Sequence, residues 1–365
     1  MRSLSLQVQS NLSVLRKLES SVLSVKLKFS YDPSRTKKPE TIDGVRVEPV
    51  PTLLNLSSQS IAPSLIHRSR RLALDAPYDV IHQHWPDPFA HIAATLLPGT
   101  AAHVVSWHSD IVRQRILRPI YRSVARHLLV KPDALIGATH AHLTSDQIPC
   151  FAPPERRHVI PYSIDVAPYK ESPEISRAAK ALRSQFGNTS VIFSLGRHVY
   201  YKGFEVLIRA MCHLNATLIL GGEGPLTSQL VDLARQKNAN IRFVGVIPER
   251  ELPIYYHACD IFCLPSVATT EAFGLVQAEA MACRRPLVNT ALNNGVNELA
   301  PNGFCAITVP PNDEYALAYA LSTLASNSNL RARLGSNGFD RINTHYTVTA
   351  MVDKIVELYS KLRKP

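Results

Sequence analysis

Short apolar runs alternate with helical segments along the chain, and this alternation constrains the fold more than any other feature. It runs in two series, the first from residue 23 to residue 161 and the second from residue 191 onward. Strands that alternate with helices form a parallel sheet with both faces covered. The sequence therefore predicts an α/β protein with two Rossmann-like, doubly wound domains. The predicted strands are 23–29, 45–50, 78–84, 101–108, 134–138, 158–161, 191–195, 216–220, 241–244, 261–264 and 286–289, and the predicted helices are 11–22, 61–74, 89–97, 113–130, 204–214, 226–237, 249–259, 275–283, 314–325 and 350–362.

A polar, proline-containing stretch at residues 166–190 separates the two series. We place an N-terminal domain at residues 1–165 and a C-terminal domain at residues 166–345. The remaining segment, residues 346–365, has a helical pattern, and we expect it to pack back on the N-terminal domain.

The net charge of the chain is +11, and residues 1–170 contribute +8 of it. Such a basic surface suits an anionic membrane, a phosphorylated substrate or simple solvation. Nucleic acid is the weakest candidate, because the sequence has no basic run interleaved with aromatic residues and no zinc-finger spacing.

The apolar runs and the cysteines indicate the cellular compartment of the protein. No apolar run approaches the roughly 20 residues that span a bilayer, and the N-terminus has no signal-peptide core. The six cysteines form no CxxC pair, and several lie in apolar runs, which favours buried free thiols in a reducing compartment. We expect a cytoplasmic protein with peripheral contact to the cytoplasmic face of the inner membrane through its basic N-terminal domain.

Three loops of the second series leave carboxyl ends of strands, where sites lie in such sheets. The loop at residues 196–203 holds Arg197 and Lys202 between two glycines. Two cations in this position suit a diphosphate, although a solvated basic turn is the alternative. The loop at residues 221–225 allows close backbone approach, but it is not GxGxxG and fits an ordinary turn as well.

The third loop leads into a helix and carries two carboxylates. Glu271 lies in the loop, and Glu279 is predicted about two turns inside the helix. The amides of Phe273, Gly274 and Leu275 at the helix start lack intrahelical partners, and such amides bind phosphate. This arrangement suits a molecule with a polar ring, a diphosphate and a ribose; a surface helix with two solvated glutamates is the alternative.

Histidines end two strands of the first series, at His82, His84 and His108. A structural role is the simplest interpretation of each. A zinc site is conceivable, but the helical pattern of two histidines and a carboxylate is absent, so no metal is predicted. No GxSxG elbow or P-loop occurs, which argues against a serine hydrolase or a kinase.

Together these motifs resemble the retaining nucleotide-sugar glycosyltransferases of family 4, whose GT-B fold has two Rossmann-like domains facing across a cleft. The resemblance covers about residues 42–360 and includes bacterial mannosyltransferase-like enzymes that build cell-surface polysaccharides. The motifs that carry it are 82–88 (HQHWPDP), 106–110 (SWHSD), 196–203 with Gly196, Arg197, Lys202 and Gly203, 222–225 (GEGP), 244–246 (VGV), and 271–279 with its two glutamates.

The resemblance implies a role for each matching residue. Arg197 and Lys202, with the backbone of Gly196, hold the donor diphosphate, and the amides of Phe273, Gly274 and Leu275 bind the distal phosphate and the sugar. Glu271 binds the transferred sugar, Glu279 the ribose, the backbone near Val246 the base, and His108 the sugar from the other domain. The catalytic set is then His108, Arg197, Lys202 and Glu271. No metal or other cofactor is needed, because cations and a helix start neutralise the leaving diphosphate.

The N-terminus departs from the family pattern. Family members begin with an apolar strand and a Gly-rich loop, whereas residues 1–24 show no strong strand and the first glycine is Gly44. We expect this first strand and loop to be missing or altered, through truncation or divergence.

We therefore expect a hexosyltransferase that uses a nucleotide sugar, GDP-mannose on the resemblance alone, and a glycan or lipid-linked glycan acceptor. One alternative is an impaired relative that binds nucleotide sugar without efficient turnover. A nucleotide-sugar epimerase of the same fold is another. A third alternative, a nucleic-acid-binding module, is supported only by the net charge.

Overall fold

A computed structural model describes residues 2–6, 24–32, 34, 38–42, 45–56, 59–75, 78–85, 87–97, 101–108, 132–144 and 152–362. The chain divides by its internal contacts into two compact units. Unit 1 comprises Met1–Tyr162 and Val348–Pro365, and unit 2 comprises Ser163–Thr347.

Unit 1 is built on an eight-stranded sheet with the order β10-β9-β8-β7-β1-β2-β4-β3. All neighbouring strands are parallel except β3 and β4, and β5 and β6 form a separate antiparallel pair. The strands are β1 Arg2–Leu6, β2 Ser24–Asp32, β3 Glu40–Ile42, β4 Val45–Pro51, β5 Leu54–Leu56, β6 Gln59–Ile61, β7 Val80–Trp85, β8 Ala102–Trp107, β9 Ala134–Gly137 and β10 Arg157–Val159. The described helices before unit 2 are α1 Ser64–Asp75, α2 Pro88–Thr95 and α3 His140–Leu143.

The first strand, which was predicted to be missing or altered, is present. Arg2–Leu6 forms β1 and pairs in parallel with β2 on one side and β7 on the other. The sequence of β1 alternates Ser and Leu, so it lacks the continuous apolar run by which a buried strand is recognised. The pairing of its backbone with β2 and β7 fixes the position of β1 in the sheet. The glycine-free segment after it, the predicted helix 11–22 and the predicted helix 113–130 lie outside the described residues.

Unit 2 contains a six-stranded parallel sheet with the order β13-β12-β11-β14-β15-β16. Its strands are mostly apolar, as expected for strands covered on both faces, and Ile192, Leu218 and Ile261 are fully buried. The strands are β11 Ser190–Leu195, β12 Ala216–Gly221, β13 Ile241–Gly245, β14 Ile261–Leu264, β15 Leu287–Thr290 and β16 Ala306–Val309. The helices are α4 Pro173–Ser184, α5 Phe204–Met211, α6 Thr227–Gln236, α7 Leu252–Ala258, α8 Leu275–Ala282, α9 Gly295–Leu299, α10 Glu314–Ser326 and α11 Ser328–His345.

The sequence analysis missed several elements of unit 2. The stretch at residues 166–190 contains α4, which Ser172 caps by accepting a hydrogen bond from the amide of Ile175 at 3.2 Å. The helix α11 was missed because glycines and polar residues weaken its apolar pattern. The predicted helix 249–259 begins as a 3-10 turn at Glu249–Glu251 and becomes α-helical only at α7.

The last described helix, α12 Val348–Leu362, belongs to unit 1. Val352 and Ile355 of this helix are buried in one cluster with Val80 of β7 and Val104 of β8. The helix therefore covers one face of the unit 1 sheet. No helix in the described ranges is both long enough and apolar enough to span a membrane.

The cysteines depart from the prediction at one position. Cys259, Cys263, Cys283 and Cys305 are buried free thiols, as expected, but Cys212 is exposed at the end of α5. The prediction of buried thiols is therefore wrong for Cys212. Cys150 lies outside the described residues.

Candidate functional site

The predicted loops of unit 2 come together at the carboxyl ends of four adjacent strands, in the order β13, β12, β11 and β14. The order of the strands reverses between β11 and β14: β12 and β13 are added on one side of the sheet, and β15 and β16 on the other. Parallel sheets bind ligands at such a point. Backbone hydrogen bonds join these loops: the amide of Gly196 donates to Gly221 at 3.2 Å, and the amide of Gly222 donates to Gly245 at 2.7 Å. The amide of Val267 donates to the carbonyl of Tyr201 at 2.8 Å. One rigid edge therefore carries all the loops.

Two glycines allow this close approach. Gly203 has φ 68°, and a side chain there would overlap the carbonyl oxygen of Pro265. Gly222 has φ 102°, and a side chain there would overlap the carbonyl oxygen of Gly196. Both positions combine a backbone conformation that favours glycine with the absence of room for a Cβ atom.

Lys202 and Glu271 form a buried ion pair. The Lys202 Nζ atom lies 2.5 Å from Oε2 of Glu271, and the two residues are only 9% and 8% exposed. The hydroxyl of Ser266 donates to the same carboxylate oxygen at 3.1 Å. The structure thus joins two predicted site residues from different loops, and it adds Ser266, which the sequence analysis missed.

Arg197 lies in the same loop as Lys202, but its side chain is exposed. It makes no ion pair with any residue in the described part of the chain. The structure therefore places the two predicted cations differently: Lys202 is held by Glu271, whereas the guanidinium of Arg197 points to solvent.

The start of α8 has the geometry expected of an anion site. Gly274 precedes the helix with φ 70°, and no side chain caps the first turn. The amides of Gly274 and Leu275 are therefore open to an external acceptor. The side chain of Phe273 is buried, with its ring 6.2 Å from the ring of Tyr346, so a contact to ligand from Phe273 would come from its backbone.

Glu279 lies just over one turn inside α8, because the helix begins at Leu275. The predicted position of two turns was therefore wrong. The hydroxyl of Tyr256 donates to Oε2 of Glu279 at 2.6 Å. Burial raises the pKa of Glu279, and the hydroxyls of Tyr256 and Tyr169 oppose that shift.

Val246 follows β13 directly and is 70% exposed. Gly245 before it has φ 66°, so the chain turns sharply at the end of the strand. The predicted contact of this backbone with a base is compatible with this exposure.

In unit 1, His108 follows β8 and lies among other rings. Its Nε2 is 2.7 Å from Nδ1 of His84, and its Nδ1 is 2.5 Å from the hydroxyl of Tyr162. Burial, and next the neighbouring His142, lower the pKa of His108 to about 4. The imidazole is therefore neutral at physiological pH, and both of its nitrogens have partners within unit 1. The sequence analysis missed Tyr162.

His82 occupies the same side of β7 as His84 and stacks on it, with ring centroids 4.6 Å apart. It makes hydrogen bonds with Ser106 at 2.8 Å and with Tyr359 at 2.5 Å. Burial lowers the pKa of His82 to about 3. In the described ranges, no group of three or more His, Cys, Asp or Glu side chains is arranged to hold a metal ion.

Two doubly wound α/β units, with a buried ion pair and an uncapped helix start at one sheet edge, are features of the GT-B glycosyltransferase architecture. A family model described as "Glycosyl transferases group 1" matches residues 175–341, and one described as "Glycosyl transferase 4-like domain" matches residues 11–163. The chain belongs to the family 4 glycosyltransferases.

Relatives and solved structures agree with this assignment. The chain is 26% identical to O-antigen chain mannosyltransferase C of Escherichia coli over 335 residues, which are 92% of this chain and 88% of that protein. It is 27% identical to D-rhamnosyltransferase WbpZ of Pseudomonas aeruginosa over 296 residues, 80% of this chain and 76% of that protein. The fold is similar to that of Anabaena Alr3699/HepE in complex with UDP, with a TM-score of 0.77, 20% identity and 99% of each chain covered.

Proposed function

We propose that this protein is a retaining hexosyltransferase that moves a sugar from a nucleotide-diphosphate donor to a hydroxyl of a glycan or lipid-linked glycan. The observation that carries the proposal is the Lys202–Glu271 pair beside the uncapped start of α8. A cation, a carboxylate and open amides on one sheet edge match the phosphates and hydroxyls of such a donor.

In the proposed complex, Lys202, Arg197 and the amides near Gly274 bind the diphosphate. Glu271 accepts hydrogen bonds from the transferred sugar and Glu279 from the ribose, while the backbone near Val246 contacts the base. The contact of His108 with the sugar stays a prediction from the family resemblance.

The proposed reaction breaks the bond between C1 of the sugar and the distal phosphate oxygen. The acceptor oxygen forms its bond to C1 on the same face, and the acceptor proton passes to the departing phosphate. Negative charge develops on that phosphate as the bond breaks, and pre-placed cations and amides stabilise it. We propose that these groups suffice without a metal.

For the donor we propose GDP-mannose, because one relative is a mannosyltransferase. A UDP-sugar is the alternative that the UDP complex of the similar fold favours. Assembly of a cell-surface polysaccharide is the proposed setting, since that relative is named for the O-antigen chain.

The test is nucleotide binding and turnover with a panel of GDP-, UDP- and ADP-sugars. Titration calorimetry should give one preferred base, and chromatography should show release of its nucleoside diphosphate. Chelator should leave the rate unchanged; a rate that chelator abolishes and added metal restores would contradict the metal-free proposal.

Arg197→Ala is the most informative variant, because Arg197 is exposed and its removal leaves the fold intact. We expect about tenfold weaker binding of the nucleoside diphosphate, since a charge-assisted hydrogen bond to phosphate is lost. Lys237→Ala removes another exposed cation, at the far end of α6, and should leave binding unchanged. Equal affinities of all three proteins would overturn the proposed phosphate site.

We also propose peripheral contact of unit 1 with an anionic membrane. Arg70 and Arg71 are exposed on α1, where they can meet lipid phosphates. Co-flotation with vesicles that contain phosphatidylglycerol should be lost in Arg70→Glu/Arg71→Glu; flotation that is unchanged in this variant would contradict the contact.

A further inference from the structure

The carboxylate of Glu279 is held by a tyrosine from outside its own helix. Tyr256 of α7 donates to Oε2 at 2.6 Å. A carboxylate has about four acceptor positions, so this hydroxyl leaves capacity for at least two further donors. Vicinal hydroxyls, such as the 2′ and 3′ hydroxyls of a ribose, supply two donors.

The ring of Tyr256 is firmly held. It is completely buried, and its ring meets the rings of Phe193 at 5.1 Å and Phe262 at 5.5 Å. It also meets the ring of Tyr169 at 5.9 Å. A hydroxyl on such a packed ring can point in few directions, so it fixes the direction of the carboxylate that accepts from it.

The surroundings of Glu279 also affect its charge. Burial raises its pKa, and the charge of Glu249 acts in the same direction, whereas the hydroxyls of Tyr256 and Tyr169 lower it. Cys283, which follows α8, is a thiol whose own pKa is raised by burial. The hydroxyl of Tyr256 therefore favours the ionised form of this carboxylate, which is the form that accepts hydrogen bonds.

We infer that Tyr256 is a positioning residue for nucleotide binding, which orients Glu279 and keeps it an acceptor for the two ribose hydroxyls of the donor. The inference rests on the proposed function. It assigns to Tyr256 the discrimination between ribonucleotides and nucleotides that lack these hydroxyls.

The test compares binding of GDP and 2′,3′-dideoxy-GDP, or the corresponding pair for the base that the wild-type protein prefers. Tyr256→Phe removes only the hydroxyl and keeps the packed ring. We expect about tenfold weaker binding of GDP by this variant, the effect of one lost hydrogen bond to a charged group. Binding of dideoxy-GDP should change less than twofold, because it does not use Glu279.

Tyr255→Phe is the matched control. Tyr255 is the neighbouring residue of α7, and its ring stacks on Phe193 at 5.7 Å, but it makes no hydrogen bond to Glu279 within the described part of the chain. Loss of the Tyr255 hydroxyl should leave the affinities for GDP and for dideoxy-GDP unchanged. In a Glu279→Gln background, Tyr256→Phe should no longer change the ratio of the two affinities, because the carboxylate through which it acts is absent.

The pH dependence separates positioning from a purely structural role. Protonation of Glu279 weakens GDP binding, so the affinity ratio of GDP to dideoxy-GDP should fall as pH falls through the raised pKa of this carboxyl. The diphosphate titrates alike in both ligands and cancels in the ratio. In Tyr256→Phe a group that lowers the pKa is gone, so the fall should begin at higher pH.

Either of two results would overturn the inference. Equal losses of affinity for both ligands in Tyr256→Phe would show a structural role alone, and an unchanged ratio with an unchanged pH profile would show no role. If the wild-type protein bound none of the nucleotides, the proposed function itself would fall, and this inference with it.

Discussion

The carboxyl edges of the two sheets carry different chemistry. At the edge in unit 2, a lysine and a glutamate are paired and buried next to open helix amides. In unit 1, His84 and His108 lie at the corresponding edge and His82 lies inside β7, and burial keeps His82 and His108 neutral. The same architecture therefore offers fixed charges for an anion in one unit and neutral hydrogen-bonding rings in the other.

Substitution in the closely packed backbone at the carboxyl edge of the unit 2 sheet should have the largest effect on stability. Gly222→Ala places a Cβ atom against the carbonyl oxygen of Gly196 at a positive φ, and we expect a loss of about 4 kcal/mol in the free energy of unfolding. Gly187 also has a positive φ, of 58°, but no atom lies within 4 Å of a Cβ atom there. Gly187→Ala should lose only about 1–2 kcal/mol. Chemical denaturation measures both, and equal losses would show that crowding at Gly222 is unimportant.

The buried ion pair should contribute far more to the free energy of unfolding than an exposed ion pair does. Lys202→Met leaves the carboxylate of Glu271 buried without its cation, which should cost about 3 kcal/mol of stability. Lys361 and Glu357 form a pair at 2.6 Å with side chains 69% and 66% exposed, and Lys361→Met should have no measurable effect on stability. The double variant Lys202→Met/Glu271→Gln should recover part of the loss. A loss below 1 kcal/mol for Lys202→Met in chemical denaturation would contradict this account.

The neutral histidines should make unit 1 the acid-sensitive unit. The pKa of His82 is lowered to about 3 and that of His108 to about 4, so the unfolded chain binds protons below about pH 6.5 while the folded chain does not. Stability is therefore full above pH 6.5 and falls toward pH 5, by about 2 kcal/mol for each such histidine. Thermal unfolding at pH 7.5 and 5.0 measures the fall, which His82→Gln should reduce; a variant with the wild-type slope would contradict it.

The smallest effect on stability is expected from removal of the exposed thiol of Cys212. Native protein should react with iodoacetamide at Cys212 much faster than at Cys259, because Cys259 is buried and burial raises its pKa to about 12. Peptide mapping by mass spectrometry compares the two rates. Cys212→Ser should change stability by less than about 0.5 kcal/mol. Similar labelling of both residues would contradict the assigned burial.

Local features of the site could be predicted from the sequence, and features that depend on long-range contacts could not. The helix start at Gly274 and the position of Glu271 before it follow from residues that are neighbours in the chain. The pairing of Glu271 with Lys202 depends on the adjacency of β11 and β14 in the sheet, which no local pattern specifies.

Two further residues show the same limit. Tyr256 lies in an apolar helix and fits a core position equally well, so its hydroxyl contact with Glu279 was not foreseen. The strand β1 was missed because its short Ser/Leu pattern does not indicate a central strand without its two partners. The general fold was predictable because it depends on many strong strand and helix patterns, each of which can be in error without changing the result.

The return of α12 to unit 1 has a consequence for synthesis of the protein. Unit 1 is interrupted in the chain by the whole of Ser163–Thr347, so a ribosome completes unit 2 before it has made the helix that covers Val80 and Val104. During that interval Val80 and Val104 lack the helix that packs on them, while unit 2 already has all of its own elements. The nascent chain is therefore expected to need protection from aggregation at its earlier-made unit, and a chaperone that binds exposed apolar strands would act there.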